Sequence, residues 1–261
     1  MALVPGAEPF HHDGGPVGVL LCHGFTGSPG SLRPWGEHLA GKGLTVSLPR
    51  LPGHGTRWQE MQLTGWEDWY ATVDKAFLAL SERCEQVFVT GLSMGGALAV
   101  RVAEQHGTAV AGLVLVNPLV ALTDRRLTVL PVVKRVVPSL KGITDDIKKE
   151  GVTEGGYDRT PLRALDSLRK ALRAVQNDLP RVTQPLLMFR SPDDHVVAPE
   201  SGRMLLARIS SADVEERLCE DSYHVATLDN DAPRIFDGSM EFIQRLSTGP
   251  ASGLAPATAE S

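Results

Sequence analysis

The chain has 261 residues, 42% of them hydrophobic, enough to bury the core of one α/β-sized domain. Its net charge of −5 gives no reason to expect a nucleic-acid partner. Three cysteines, Cys22, Cys84 and Cys219, are an odd number without metal-ligand spacing; they fit a reducing cytoplasm rather than a disulfide framework.

The N-terminus lacks the basic region of a secretory signal, and no run is long enough to cross a bilayer, so no stable membrane insertion is expected. Residues 1–14 read as an extension. Val17–Cys22 reads as a central strand, apolar on both faces. It ends in the glycine-rich loop His23-Gly24-Phe25-Thr26-Gly27, at the ligand edge of an open parallel sheet. A short helix from Pro34 to Leu39 and a strand from Leu44 to Leu48 follow, then the turn Pro52-Gly53-His54-Gly55. Thr64 and Glu67 have the spacing of a capping box for a helix running to about Ser81. Trp66, Trp69 and Tyr70 on it read as core and cleft wall, because no basic patch interleaves them.

Val87–Thr90 is a buried strand that runs into the helix Ala97–Glu104 through Gly91-Leu92-Ser93-Met94-Gly95. A serine at so sharp a strand-to-helix bend is strained. Its neighbours two residues away are glycine because a Cβ would collide there. Val110–Val116 is the next strand, stopped by Asn117-Pro118. Alternating strands and helices predict a parallel sheet with helices on both faces.

The alternation breaks between 118 and 180, where no strand is convincing. Thr160-Pro161 is expected to open an amphipathic helix lined by Leu162, Leu165, Leu168, Leu172, Val175 and Leu179. This span is expected to be an inserted cap or lid on a core of 15–117 and 181–246. From Arg125 to Arg181 it holds 13 Lys and Arg against 7 Asp and Glu, as solvated faces of amphipathic helices do. Leu186–Arg190 resumes the sheet, Val214–Cys219 is an edge strand, Ala232–Leu246 is a closing helix, and 247–261 reads as a disordered tail.

A serine nucleophile needs a base in hydrogen-bond reach and an acid to orient that base. On this topology both come from loops after strands, in the order Ser, Asp, His. His224 follows the last strand. Asp194 follows the strand before it, and its neighbour Asp193 is kept as the alternative. His23 and His54 come too early in the chain for the base and are read as shaping the pocket; His195 adjoins Asp194 and is badly placed to receive its bond. The backbone N–H groups of Met94 and Phe25 are the candidate oxyanion donors. Cys22 reads as inert core rather than as a thiol nucleophile.

Together, His23-Gly24-Phe25-Thr26-Gly27, Pro52-Gly53-His54-Gly55, Gly91-Leu92-Ser93-Met94-Gly95-Gly96, Asp194-x-Val-Val-x-Pro199 and Ser222-Tyr223-His224 resemble the α/β-hydrolase superfamily. More narrowly the chain resembles small bacterial carboxylesterases and monoacylglycerol lipases with a short cap. The resemblance covers about Gly15 to Leu246. It implies a mostly parallel α/β sheet and a Ser93–His224–Asp194 triad with Phe25 and Met94 binding the substrate oxyanion. It implies no metal or organic cofactor, and a small ester or lipid substrate handled by a monomer or dimer. Acyltransferases, C–C hydrolases and cofactor-free haloperoxidases use the same triad and are the alternatives. The cap matches no motif, so chain-length specificity does not carry over.

Overall fold

The computed structural model describes residues 3–247. In chain order its elements are β1 (Phe10–His12), β2 (Val17–Cys22), α1 (Arg33–Gly41), β3 (Thr45–Leu48), α2 (Trp58–Met61) and α3 (Trp66–Ser81). Then follow β4 (Gln86–Leu92), α4 (Met94–His106), β5 (Gly112–Val116), α5 (Leu130–Val133), β6 (Ser139–Lys141) and β7 (Arg159–Pro161). The chain continues through α6 (Leu162–Asp178), β8 (Leu186–Arg190), α7 (Pro199–Arg208), β9 (Val214–Leu218) and α8 (Ala232–Ser247). The expected tail lies outside the described residues from 248 onward.

Seven strands form one sheet in the order β1-β3-β2-β4-β5-β8-β9. All pairings are parallel except β1 with β3. The pleat sends alternate residues to opposite faces. Leu20, Val89, Leu113 and Met188 pack on the face carrying α3, α4 and α6. Val19, Leu21, Phe88, Val114 and Phe189 pack on the face carrying α1 and α8. Both faces are covered, so β2, β5 and most of β4 are buried and read as unbroken apolar runs. The edge strand β9 is only half covered, with Val214 and Glu216 exposed.

Several local expectations shift. β1 is an antiparallel edge strand inside the stretch read as an extension. Three residues with two histidines are too short and polar to stand out. The cap of α3 is Gly65, whose N–H donates to Asp68 Oδ2 at 3.0 Å, instead of Thr64 with Glu67. The Thr64 hydroxyl is engaged elsewhere: it donates to Met61 O at 3.0 Å and accepts Trp69 Nε1–H at 3.1 Å.

The 118–180 span does contain strands. β6 and β7 form a separate antiparallel pair, and Thr160 lies in β7 instead of capping α6, which starts after Pro161. Both strands are three residues long, below what periodicity can register. Leu168, Leu172 and Val175 of α6 belong to the same apolar cluster as Trp69, Phe77 and Leu98. α6 is therefore a crossover helix between β5 and β8, laid on the sheet's main core. Val129, Val132 and Val136, around α5, are exposed.

Candidate active site

The site begins with the bend between β4 and α4. Ser93 sits there at φ 57°, ψ −120°, a conformation that L residues rarely adopt. Its N–H donates to Val116 O at 3.0 Å, and its carbonyl accepts Gly96 N–H at 2.9 Å and Leu119 N–H at 3.0 Å. These bonds hold the bend from three sides. A Cβ on Gly91 would lie 2.2 Å from Gly95 O, and one on Gly95 would lie 1.8 Å from Cys22 O. Both are backbone collisions, so glycine is required at each.

β8 and β9 lie beyond β5, and the loops leaving their C-terminal ends carry the other groups. His224 Nδ1 meets Asp194 Oδ2 at 2.8 Å. Asp194 Oδ1 accepts the N–H groups of Val196 and Val197, both at 2.8 Å. The acid is thus oriented by its own loop. Asp193, the alternative, is exposed and makes no hydrogen bond to His224 among the described residues. Ser93 and His224 are both only 6% exposed, and both line one pocket of about 330 Å³.

Gly24 and Phe25 line the same pocket. A Cβ on Gly24 would stand 4.0 Å from Ser93 Oγ, so this backbone runs directly beside the hydroxyl. Met94 opens α4, and its N–H is one of those a helix start leaves without an intrahelical carbonyl. The rest of the wall is mostly apolar, with Leu119, Ile143, Leu165, Leu168 and Val197. A second cavity, about 470 Å³, lies between α6 (Arg169, Leu172, Arg173) and the segment 122–131; it shares Leu122, Asp124 and Leu127 with the first, and Ser93 is not in its lining.

His23 and His54 brace the site from behind. His23 Nε2 accepts Leu51 N–H at 3.1 Å, which joins the loops after β2 and β3. His54 Nδ1 donates to Pro52 O at 3.0 Å, and its ring meets His23 and Trp69 edge to face. Burial keeps both rings neutral: His23 is held well below the usual histidine range, and His54 is lowered to about 4. Burial likewise pushes the Cys22 thiol far up, as its reading as inert core requires.

Three residues of the site were not singled out by sequence. Glu154 lines the pocket; burial raises its carboxyl pKa, while the charge of His224 pulls the other way. Asn117, read only as a strand stop, has φ 44°. Its amide donates to His224 O at 2.8 Å and accepts Ser191 N–H at 2.8 Å. Its position after a central strand was the available signal. Asp146 bonds both His195 and the backbone of His224.

Comparison with known proteins follows the same lines. Residues 17–231 match the model of the Hydrolase_4 family, described as serine aminopeptidase, S33. The chain is 42% identical over 248 residues to a thermostable monoacylglycerol lipase of Bacillus sp. (strain H-257), covering 93% of this chain and 96% of that one. It is 27% identical to a carboxylesterase of Bacillus subtilis (strain 168), covering 92% and 97%. A solved structure described among the metagenome-derived lipolytic enzymes LipS and LipT superposes with a TM-score of 0.90 at 43% identity, over 94% of this chain and 100% of that one. The chain belongs to the Hydrolase_4 family of α/β-hydrolases, and it is a hydrolase of the lipase and esterase class.

Proposed function

We propose that the protein hydrolyses monoacylglycerols and other short- to medium-chain monoesters through an acyl-enzyme on Ser93. The observation that carries the reading is the His224–Asp194 bond at the rim of the pocket that Ser93 also lines. His224 takes the Ser93 proton as the hydroxyl oxygen attacks the ester carbonyl. Asp194 holds the imidazole in the Nδ1–H tautomer, which leaves Nε2 free as base. The N–H groups of Phe25 and Met94 receive the developing oxyanion; a single such donor is typically worth about 100- to 1000-fold in rate. The alcohol departs with the proton from His224. Water activated by the same nitrogen then releases the acid. No metal or organic cofactor takes part in this scheme.

Similarity to a monoacylglycerol lipase over nearly the whole chain supports that substrate class. Glu154 supports it as well: its half-buried carboxyl lines the pocket beside Asp124, Lys141 and Asp146, and it is a hydrogen-bonding group for the hydroxyls of a diol leaving group. Residues 118–161 act as the cap over the pocket, and Leu165 and Leu168 of α6 contribute to its wall from the core side. No helix among the described residues is long and apolar enough to cross a membrane, and the three free cysteines suit the cytoplasm, our proposed location.

Ser93→Ala is expected to lower kcat on p-nitrophenyl esters by about 10⁴-fold or more and to abolish fluorophosphonate labelling. Retained hydrolysis in that variant would overturn the mechanism. A chain-length series of monoacylglycerols, run beside acyl-acceptor and peroxide panels, separates this substrate class from acyl transfer, C–C hydrolysis and haloperoxidation.

A further inference from the structure

One stretch of the cap bonds four of the loops around the site, those after β2, β3, β8 and β9. Residues 142–158 run between β6 and β7. Tyr157 N–H donates to Thr26 O at 3.1 Å, and its hydroxyl donates to Gly53 O at 2.8 Å. Lys148 and Lys149 donate their N–H groups to the Asp229 carboxylate at 2.7 and 2.9 Å; that carboxylate also accepts Tyr223 N–H at 2.9 Å.

Asp146 makes the most of these connections. Its Oδ2 accepts His224 N–H at 3.1 Å and His195 N–H at 3.2 Å. Its Oδ1 meets His195 Nδ1 at 2.8 Å, and its main-chain carbonyl accepts Val225 N–H at 3.1 Å. The carboxylate is 11% exposed. One side chain therefore bonds the backbone of the residue bearing the imidazole and the backbone of the residue next to Asp194. The two loops leave adjacent strands whose ladder ends at Arg190 and Leu218; Ser191 Oγ donates to Tyr223 O at 2.8 Å near the sheet, and Asp146 ties the loops again farther out, at His195 and His224.

We propose that Asp146 is a positioning residue that clamps the His224 and Asp194–His195 loops at the separation their 2.8 Å bond requires. Bonds from a carboxylate to backbone N–H groups are charge-assisted and stronger than neutral ones. An imidazole displaced by 1 Å loses about 100-fold in rate with little change in substrate binding. The cap is then not a detachable roof: 142–158 belongs to the catalytic frame. This rests on the assignment of Ser93, His224 and Asp194 proposed above.

The test is steady-state kinetics of the full chain on p-nitrophenyl butyrate, with a urea unfolding curve for each variant. Asp146→Ala is expected to lower kcat by about 5- to 100-fold, with KM changed by less than about twofold in a folded protein. Asp146→Asn keeps one acceptor oxygen and is expected to recover part of the loss while remaining below wild type. Asp221→Ala removes the 2.8 Å Lys148–Asp221 surface pair between the same segments and is expected to leave kcat unchanged. The clamp is overturned by a smaller fall in kcat, a loss confined to KM, a loss that tracks the unfolded fraction, or an equal loss in Asp221→Ala. If Asp146→Ala does not fold, wild-type kcat in Asp146→Asn overturns it. Ser93→Ala runs in the same assay. Activity there sinks the triad assignment; an inactive Ser93→Ala beside a fully active Asp146→Ala sinks the clamp alone.

Discussion

At Ser93 the chain adopts a φ of 57°, held by the bond of its N–H to Val116 O and of its carbonyl to the N–H groups of Gly96 and Leu119. The Gly95 site shows how little room there is. A methyl group there would sit 1.8 Å from Cys22 O and 2.8 Å from His23 O, atoms fixed in the sheet ladder and in the loop that walls the pocket. Gly95→Ala is therefore expected to cost about 3 kcal/mol or more in urea denaturation, since neither neighbour can rotate away. Any folded fraction should also label poorly with a fluorophosphonate, because β2 and α4 must part to admit the methyl group.

Between elements, charge holds what apolar packing does not. α5 and the polar face of α6 meet around Asp166, whose side chain is fully buried and bonded by Lys134, Arg169 and Lys170. Burial alone would raise its pKa. The three cationic hydrogen bonds outweigh that and hold it down at about 2. Asp166→Ala leaves these cations facing one another and should destabilise the α5–α6 contact by about 1–3 kcal/mol. Limited proteolysis between 122 and 137 would register the loss; a cleavage rate equal to wild type would contradict it. The site's own loops are untouched by this pair, so short p-nitrophenyl esters should turn over as before.

For the molecule as a whole, the two buried histidines contribute to the acid limb of stability. Folded His54 has a pKa of about 4, against about 6.5 for an unfolded histidine. Between these values the unfolded chain binds the extra proton, so stability is full above about 6.5 and is lost as pH falls toward 4. The slope in that window is about 1.4 kcal/mol per pH unit for each such histidine. His23, depressed in the same direction, adds to it. Urea midpoints at pH 7, 6 and 5 measure the slope. His54→Asn keeps a donor for Pro52 O and removes one titration, so its curve should be shallower than wild type; an unchanged slope would show that His54 does not carry the effect.

The same two histidines show where legibility ended. Their loops were visible in the sequence as Gly-rich turns after strands, but their partners, Leu51 N–H and Trp69, come from elsewhere in the chain. Ser93, Asp194 and His224 could be named because each follows a strand at the ligand edge, and because strained glycine positions leave a local mark. Asp146 and Glu154 left no such mark, and Asn117, although it follows a central strand, gave no sign of which partners it would meet. The hydrogen bonds that Asp146 and Asn117 make to the site loops link positions 49 to 107 apart, and no short-range pattern encodes those. β6 and β7 stayed hidden for a related reason: three residues hold too few side chains to display a period.

What the sequence determined by itself is the alternation of elements, the burial of both sheet faces, the bend at Ser93 and the order of its partners. These follow from periodicity, backbone sterics and chain order, all of them local quantities. The tertiary structure alone decided that α6 joins the main core, that 142–158 stitches four loops together, and that Asp194 faces the imidazole while Asp193 faces water. Those outcomes depend on which surfaces are brought within 3 Å of one another, and only the closed sheet and its crossovers fix that.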